Sequence, residues 1–377
     1  MSDVRYIDTR HGLSYQINEL RWRSDSGAPL MITPLPGITK DDIDTRVRSI
    51  WRYQAAFPLL INNPVSLGEG CTPLVEKQWD SESIFFKLEW FNPTCSFKDR
   101  GASVMISYLS QLGVEKVLED SSGNGGAAIA AACAAAGMSA RILAPENTSP
   151  AKIFQSRSFG AEIQLVPGTR SDTEKEVIRQ SEEIFYAGHN WHPFFLQGTK
   201  TIAYELWEDF GFQAPDNIVI PTGAGSNVLG CDLGFTELLS AGQIKKLPRL
   251  LLAQPGNCAP IDASFNAGVE HEVPTAFSPT IAEGAAIRNP VRLAEVIQAV
   301  RRSNGATAAV SEQEIAQATL TLASMGLYAE PTSSVAAAAV HKFKSMGVIK
   351  PGETTVVLLT GTAIKAPAII SQILEEA

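Results

Sequence analysis

The sequence predicts an α/β protein with mostly parallel sheets. Short apolar runs, typical of buried strands, alternate with longer helical segments along most of the chain. Glycine-rich loops directly follow several of these runs, at points where a strand would pass into a helix. The chain has 377 residues, which is long enough for two domains with a large buried core.

The predicted elements follow one another in a regular order. The first clear strand, SIFFKLEW at 83–90, is rich in aromatic and β-branched residues, which favour extended structure. The later predicted strands are 116–122, 140–146, 161–168, 217–223, 249–255 and 354–361. The predicted helices are 51–57, 98–112, 125–137, 150–160, 174–187, 199–210, 291–303, 312–325 and 333–346. Strands separated by helices indicate βαβ units, whose strands run parallel.

Composition excludes several classes of protein. A net charge of −9 argues against non-specific binding to nucleic acid or to an anionic membrane. The apolar stretch AAIAAACAAAG at 127–137 is too short to span a bilayer, and the polar N-terminus predicts no signal peptide. The five cysteines are scattered, with no CxxC pair, so we expect reduced thiols and a cytoplasmic location.

Three loops lie where ligands bind in such sheets, beyond the carboxyl ends of strands. SSGNGGAA at 121–128 offers hydroxyls, an amide and the N–H groups of a helix N-terminus to an anion. PTGAGSNVLG at 221–230 offers a nest of N–H groups to a phosphate, although it is neither a P-loop nor a dinucleotide motif. LLTGTAIK at 358–365 presents the Thr360 hydroxyl. Each loop is also compatible with an ordinary capped turn.

A lysine stands at a predicted helix start in FNPTCSFKDRG, residues 91–101. Lys98 is either a surface residue there or an amine that attacks a carbonyl. Burial beside an aromatic ring lowers the pKa of a lysine and makes it a nucleophile toward an aldehyde cofactor. Pyridoxal phosphate is such an aldehyde, with a phosphate tail. It needs a lysine, a phosphate nest, and partners for its ring hydroxyl and ring nitrogen, and the sequence offers a candidate for each.

Longer segments carry a family resemblance. They are EGCTPLVE at 69–76, NPTCSFKDRG at 92–101, SSGNGGAA, KIFQSRSFGA at 152–161, QGTKTIAYEL at 197–206, EGAAIRNPVRL at 283–293, AEPTSSVAA at 329–337 and LLTGTAIK. With these segments the chain resembles the fold type II (tryptophan-synthase-type) pyridoxal-phosphate enzymes, and among them the threonine synthases. The resemblance covers most of the chain.

The resemblance implies a role for each motif residue. Lys98 would form the Schiff base with pyridoxal 5′-phosphate and act as the acid–base group. Asn124 would bond the ring hydroxyl, and Thr360 would face the ring nitrogen. The residues implied to hold the cofactor phosphate are Gly223, Ala224, Gly225, Ser226 and Asn227. Those implied to bind the amino-acid substrate are Ser121, Ser122, Gly123 and Asn124. Lys152 is a separate candidate for binding a substrate phosphate, and a place on a solvated helix face is an equally good interpretation of it.

The resemblance also implies an architecture. We expect two three-layer α/β domains with the cofactor between them and closure of the smaller domain on substrate. The smaller domain would be 84–188 and the larger one 39–83 plus 189–377. A homodimer is expected from the family.

Several positions depart from the family motifs, among them Thr362, Ala363 and Ala366 after the last strand. Cys95 stands where the motif NPTGSFKDRG has glycine, and Gly125 stands where SSGNTGAA has threonine. The second change removes a hydroxyl from the loop implied to bind the substrate carboxylate. Neither change removes a cofactor group, but both bear on which substrate is bound.

The N-terminal segment, 1–38, resembles a zinc ribbon that has lost its cysteines. The cysteine positions hold Asp8, His11, Ser24 and Ser26. Serine is a poor zinc ligand, and one aspartate with one histidine cannot close a tetrahedral site. We therefore expect a segment without metal, held by packing and hairpin pairing.

Three functions remain open from the sequence. The first is a threonine synthase, which converts O-phospho-L-homoserine and water to L-threonine and phosphate. The second is another pyridoxal-phosphate lyase or synthase, such as a cysteate or cysteine synthase-like β-replacement enzyme or a serine/threonine deaminase. The third is a cofactor-binding protein without catalysis, against which the presence of Lys98, Asn124 and Thr360 argues.

Overall fold

The computed structural model describes residues 4–148 and 150–376, and leaves the side chains of 150–152 undescribed. The chain packs as two compact units. Unit 1 contains 4–70, Asn92–Thr94 and Lys98–Thr201, and unit 2 contains Cys71–Phe91, Cys95–Phe97 and 202–376. The boundaries of these units differ from those of the predicted domains. Residues 39–70 were predicted to belong to the larger domain, but they lie in unit 1.

The strands and helices alternate along most of the chain. The strands are β1 Arg5–Asp8, β2 Leu13–Gln16, β3 Met31–Ile32, β4 Leu74–Trp79, β5 Glu82–Leu88, β6 Lys116–Glu119, β7 Ser139–Pro145, β8 Glu162–Val166, β9 Phe185–Tyr186, β10 Asn217–Pro221, β11 Arg249–Pro255, β12 Ala306–Val310 and β13 Thr355–Leu359. The helices are α1 Lys98–Gln111, α2 Asn124–Ala136, α3 Pro150–Ser158, α4 Arg170–Gln180, α5 Pro193–Thr199, α6 Thr201–Asp209, α7 Ser226–Ser240, α8 Pro260–Asn266, α9 Leu293–Arg302, α10 Glu312–Ser324, α11 Pro331–Ser345 and α12 Pro367–Glu376.

Unit 2 is built on a six-stranded sheet with the order β12-β11-β10-β13-β5-β4. All neighbouring pairs are parallel except β4 and β5, which form an antiparallel edge pair. The central strands β10 and β13 are fully buried along their length, as their continuous apolar sequences require. Val219 of β10 pairs with Val357 of β13, so the loops that follow these two strands leave the same edge of the sheet.

Unit 1 contains a four-stranded parallel sheet with the order β8-β7-β6-β9. Helix α2 is rich in alanine and is buried over most of its length, from Gly125 to Cys133. Small side chains allow such a helix to approach its neighbours closely, and the helix ends at Gly137 in the left-handed conformation. The predicted α/β fold with mostly parallel sheets is confirmed by both units.

The N-terminal segment forms a small antiparallel sheet of β2, β1 and β3 in unit 1. The four positions predicted from the ribbon pattern meet around the buried carboxylate of Asp8. Its oxygens accept a hydrogen bond from Ser26 Oγ (2.6 Å) and contact the ring Nδ1 of His11 (3.2 Å), and the Ser24 hydroxyl adds to the cluster. Burial alone would raise the pKa of Asp8, but these hydroxyls and the backbone N–H groups of Arg10 and His11 outweigh it and hold the pKa well below its ordinary value.

Three predicted helices differ from the structure. The helix predicted at 51–57 is a 3-10 helix, Ile50–Ala56, whose backbone is not helical at Tyr53. The helix predicted at 174–187 is α4, which begins earlier, because Thr169 and Asp172 form a capping box at its start. Its predicted last residues instead form β9, in which Phe185 pairs with Val117 of β6. The helix predicted at 199–210 is two helices, α5 and α6, the first of which begins at Pro193.

Within the described residues, no helix combines the length and the hydropathy that crossing a membrane requires.

Candidate active site

Lys98 is the first residue of α1 in unit 1, as the sequence predicts for a helix start. The start is fixed by Asp99, whose carboxylate accepts hydrogen bonds from the Thr94 N–H (2.8 Å) and the Thr94 hydroxyl (2.7 Å). Lys98 is half-buried, and its Nζ lies 5.7 Å from the centroid of the Phe195 ring. The lysine therefore has an aromatic ring among its neighbours.

The residues before Lys98 belong to unit 2 and are tied to the loop after β13. Ser96 forms an antiparallel bridge with Gly361, and the Phe97 N–H donates to the Thr360 carbonyl (3.1 Å). Cys95 has a φ of 64°, a left-handed conformation that glycine adopts at low cost. The family motif has glycine at this position, and the backbone shows why.

The loop between β6 and α2 leaves no room for a side chain at Gly126. A Cβ at Gly126 would lie 1.9 Å from the carbonyl oxygen of Ser121, so no side chain fits there. Ser121 is buried, whereas Ser122 and Asn124 are half-buried and Gly123 is exposed. The loop thus presents hydroxyl, amide and helix N-terminal N–H groups at the carboxyl end of β6, as predicted.

Gly125 leaves a space in this loop that His189 fills. A Cβ at position 125 would lie 2.8 Å from His189 Cε1 and 2.9 Å from His189 Nδ1. The imidazole also packs near the ring of Phe195, with 5.6 Å between the ring centroids. His189 is therefore part of the same cluster as Lys98 and the β6–α2 loop in unit 1, although the sequence analysis gave it no role in the site.

Glu119, the last residue of β6, holds His189 in place. Its Oε2 accepts from the backbone N–H of His189 (3.1 Å), and its Oε1 lies 2.9 Å from the ring Nδ1. Glu119 is completely buried, and burial raises its pKa to about 7, although the His189 N–H and the Lys98 charge act in the opposite direction. Burial and the Lys98 charge lower the pKa of His189, so both shifts favour the uncharged form of each group.

A second buried acid follows directly. Asp120 accepts a hydrogen bond from the Tyr186 hydroxyl (2.8 Å). Burial and the neighbouring Glu119 raise the pKa of Asp120, and burial and Asp120 raise that of Tyr186. The base of the β6–α2 loop therefore contains two buried carboxyl groups, Glu119 and Asp120, each of which is hydrogen-bonded to the ring or hydroxyl of a neighbouring side chain.

The loop after β10 in unit 2 leads into the N-terminus of α7. Gly225 has a φ of 97° and precedes the first residue of α7, where helix N–H groups lack partners in the helix. A Cβ at Gly225 would lie 2.3 Å from Val296 Cγ2, so the backbone approaches α9 too closely for a side chain. The amide of Asn227 is buried, and its oxygen accepts no hydrogen bond within the described residues.

Thr360 follows β13, the strand beside β10 in the sheet of unit 2. Its side chain is buried, and its hydroxyl lies 3.0 Å from the hydroxyl of Ser333 in α11. Ser333 also accepts from the Gly361 N–H (2.8 Å), which fixes the backbone at this point. The structure thus places Thr360 and the β10–α7 loop after neighbouring parallel strands.

The predicted substrate residue Lys152 cannot be placed at the level of its side chain. Lys152 lies in α3, but its side chain is outside what the structure describes.

Comparison with known proteins identifies the family. Residues 65–361 match the family described as pyridoxal-phosphate dependent enzyme. The chain is 32% identical over 371 residues to the threonine synthase of Methanocaldococcus jannaschii, covering 94% of this chain and 91% of that protein. It is 35% identical over 327 residues to the threonine synthase of a Bacillus species, covering 84% and 90%.

Solved structures show the same fold. The L-serine ammonia-lyase of the fungus Rhizomucor miehei superposes with a TM-score of 0.70, at 21% identity, over 81% of this chain and 98% of that one. The predicted family resemblance is confirmed by these matches. The chain therefore belongs to the fold type II pyridoxal-phosphate-dependent enzymes, is a lyase-type relative of the threonine synthases, and uses pyridoxal 5′-phosphate as its cofactor.

Proposed function

We propose that this enzyme converts O-phospho-L-homoserine and water to L-threonine and phosphate. The observation that carries the proposal is the 32% identity to a protein named threonine synthase along 94% of the chain. The groups present at Lys98, in the β6–α2 loop of unit 1 and in the β10–α7 loop of unit 2 support it, since each is of the type that such a reaction needs.

The residues present fit pyridoxal phosphate. The glycine-backed cradle Gly223–Asn227 would hold the phosphate group, because a side chain at Gly225 would collide with Val296 and the loop leads into a helix N-terminus. Asn124 would bond the ring hydroxyl and Thr360 the ring nitrogen. When bound, the cofactor supplies an aldehyde for an amine and a ring that withdraws electrons from the substrate.

The proposed work of the chain itself is proton transfer and positioning. Lys98 would take one proton from Cα and one from Cβ of the substrate as phosphate leaves Cγ. Protons are then returned to Cγ and to Cα, while water adds its hydroxyl at Cβ and the third proton, from that water, is taken up by the released phosphate. Ser121, Ser122, Gly123 and Asn124 would hold the substrate carboxylate with hydroxyl, amide and N–H donors. Lys152 would assist at the substrate phosphate.

The neutral hydroxyl of Thr360 is proposed to shape the chemistry. A hydroxyl does not favour a protonated ring nitrogen as a carboxylate would. The ring then withdraws electrons less strongly, which suits elimination and replacement at the β and γ carbons.

A direct assay tests the proposal. Purified protein with the cofactor is given O-phospho-L-homoserine, and phosphate and threonine are both quantified. Threonine formation that is lost in Lys98→Ala but kept in Lys246→Ala would support it. Lys246 is the control because it is an exposed lysine of unit 2 that pairs with Asp216. A protein that binds the cofactor through Lys98 yet forms no threonine would refute it.

One observation favours a second candidate. Gly125 removes a hydroxyl from the carboxylate loop and brings an imidazole in its place, which changes the groups offered to the substrate. The second candidate is therefore a β-elimination or β-replacement on another amino acid, such as the serine/threonine deaminase reaction. Ammonia and keto-acid formation from L-serine or L-threonine, in the same assay series, would favour it.

We also propose a cytoplasmic homodimer. Family resemblance is its support, and light scattering of the purified protein measures the mass directly. A monomeric mass of 40.5 kDa would refute the dimer.

A further inference from the structure

His189 is the feature of unit 1 that the proposed roles leave unused. It is 6% exposed, and its imidazole occupies the space that a side chain at position 125 would need. The atom that comes nearest to this space is Cε1, which is bonded directly to Nε2. The second ring nitrogen, Nε2, is therefore one bond away from the atom that faces the first turn of α2, and this turn begins at the loop proposed to receive the substrate carboxylate.

The partner of His189 determines what Nε2 offers. Glu119 bonds the other ring nitrogen, Nδ1, at 2.9 Å. If Glu119 is ionised, Nδ1 carries the hydrogen and Nε2 presents a lone pair. If Glu119 carries a proton, it donates to Nδ1, and Nε2 then carries a hydrogen that it can donate. Burial and the Lys98 charge lower the pKa of His189 and keep its imidazole neutral, and with a neutral imidazole only the second form can donate to a carboxylate.

We propose that His189 is a substrate-binding residue whose Nε2–H donates to the α-carboxylate of the bound amino acid, while a protonated Glu119 donates to Nδ1. The imidazole thereby replaces the hydroxyl that Gly125 lacks. This inference rests on the proposed function in one respect, namely that the β6–α2 loop receives an amino-acid carboxylate. It does not depend on which amino acid is the natural substrate.

The surrounding charges are consistent with this arrangement. Burial brings the pKa of Glu119 to about 7, so its protonated form is accessible near neutral pH. The charged and titratable groups that act on the pair are Lys98 of α1, Asp120 after β6 and Arg170 of α4. Among the described residues no hydrogen bond is made to His189 Nε2, so binding a ligand there breaks no existing bond.

The sign of the pH effect follows. Binding of the carboxylate requires the proton on Glu119, so raising the pH above about 7 removes that proton and opposes binding. The limiting loss of affinity is about tenfold per pH unit. The amino group of the free amino acid also titrates, and this changes the dissociation constants of all variants equally. Its effect cancels when each variant is compared with the wild type at the same pH.

Glu119→Gln gives the sharpest test. The amide oxygen can accept from the His189 backbone N–H while the amide nitrogen donates to Nδ1, which fixes the hydrogen on Nε2 at every pH. The dissociation constants of L-threonine and L-serine are measured with the holoenzyme from the change in the cofactor's absorption spectrum, on both sides of neutral pH. Glu119→Gln is expected to bind as tightly as wild type below neutral pH and progressively more tightly above it.

Two histidine variants separate binding from packing. Asparagine at 189 can reach Glu119 from the Nδ1 position but lacks the atom equivalent to Nε2, whereas glutamine can reach the Nε2 position. His189→Asn is expected to weaken amino-acid binding about tenfold and to lose the pH dependence, and His189→Gln to restore part of the affinity. His192→Asn is the matched control, because His192 is a buried N-cap of α5 that asparagine can replace.

The outcomes are decisive. The inference is overturned if the affinity ratio of Glu119→Gln to wild type is the same at every pH, or if His189→Asn binds as the wild type does. It is also overturned if neither amino acid changes the spectrum of the wild-type protein. Failure of the proposed function looks different, since an enzyme that forms no threonine from O-phospho-L-homoserine can still show the predicted pH dependence of binding.

Discussion

Replacing Gly225 by alanine should destabilise unit 2 through two separable effects. The φ of 97° lies in the left-handed region, where a residue with a Cβ costs about 1–2 kcal/mol. The new Cβ would also lie 2.3 Å from Cγ2 of the buried Val296, and overpacking of this kind costs about 1–3 kcal/mol. The expected loss in the free energy of unfolding is therefore about 2–5 kcal/mol.

A matched control lies at the other end of the same helix. Gly242 follows α7 with a φ of 69°, and a Cβ there would meet no atom within 4 Å. Gly242→Ala should therefore cost only the conformational part, about 1–2 kcal/mol. The difference between the two variants isolates the collision with Val296.

Urea denaturation of both variants, with and without cofactor, provides the measurement. Adding Val296→Ala to Gly225→Ala removes the colliding methyl groups, so the double variant should lose less stability than the sum of the two single variants. A loss in Gly225→Ala equal to that in Gly242→Ala, with additive behaviour in the double variant, would refute the steric reasoning. A smaller stabilisation by the cofactor in Gly225→Ala would further support the phosphate cradle.

Three other expectations follow from local geometry. Cys95→Gly should raise the thermal unfolding midpoint, with a gain of about 1 kcal/mol, because Cys95 has a φ of 64°. Cys71→Asn should act in the same direction, since Cys71 has a φ of 49°. A lower midpoint in both variants would contradict this reasoning. Asp8 has a lowered pKa in the folded state, so its contribution to the free energy of unfolding is complete at a pH above its ordinary pKa of 3.8 and is lost as the pH falls further. Asp8→Asn should therefore reduce the loss of stability at acidic pH. An unchanged loss would count against the Asp8 cluster. Lys87 is fully buried between Glu205 (2.8 Å) and Asp209 (2.7 Å), so Lys87→Met should cost about 3–5 kcal/mol, and a loss near zero in urea denaturation would refute it.

The elements that carry the proposed site were predictable because their signals are local. The strand 217–223 is a continuous apolar run followed by glycines, and α1 begins at the residue expected from the turn before it. The strand β12, ATAAV at Ala306–Val310, was missed because alanine has little preference for extended structure. It is a strand because it pairs with β11, which tertiary structure alone decides.

The contact between Glu119 and His189 had no sequence signal. The two residues are separated by 70 positions, and neither belongs to a motif with known spacing. Gly125 was noticed as a missing hydroxyl, but only the structure shows that its space is filled by a ring from the loop after β9. Local patterns predict where a loop lies, whereas the groups that enter its vacant volume depend on how distant segments pack.

The adjacency of β10 and β13 has an evolutionary consequence. Neighbouring strands are spaced ~4.8 Å apart by backbone hydrogen bonds, whatever their side chains are. The separation between the β10–α7 loop and Thr360 is thus inherited from the sheet itself, so mutation at either position exchanges a chemical group without displacing the other. A lineage can therefore explore new reactions by single substitutions at the ends of two strands, while the framework that holds those ends diverges freely in sequence.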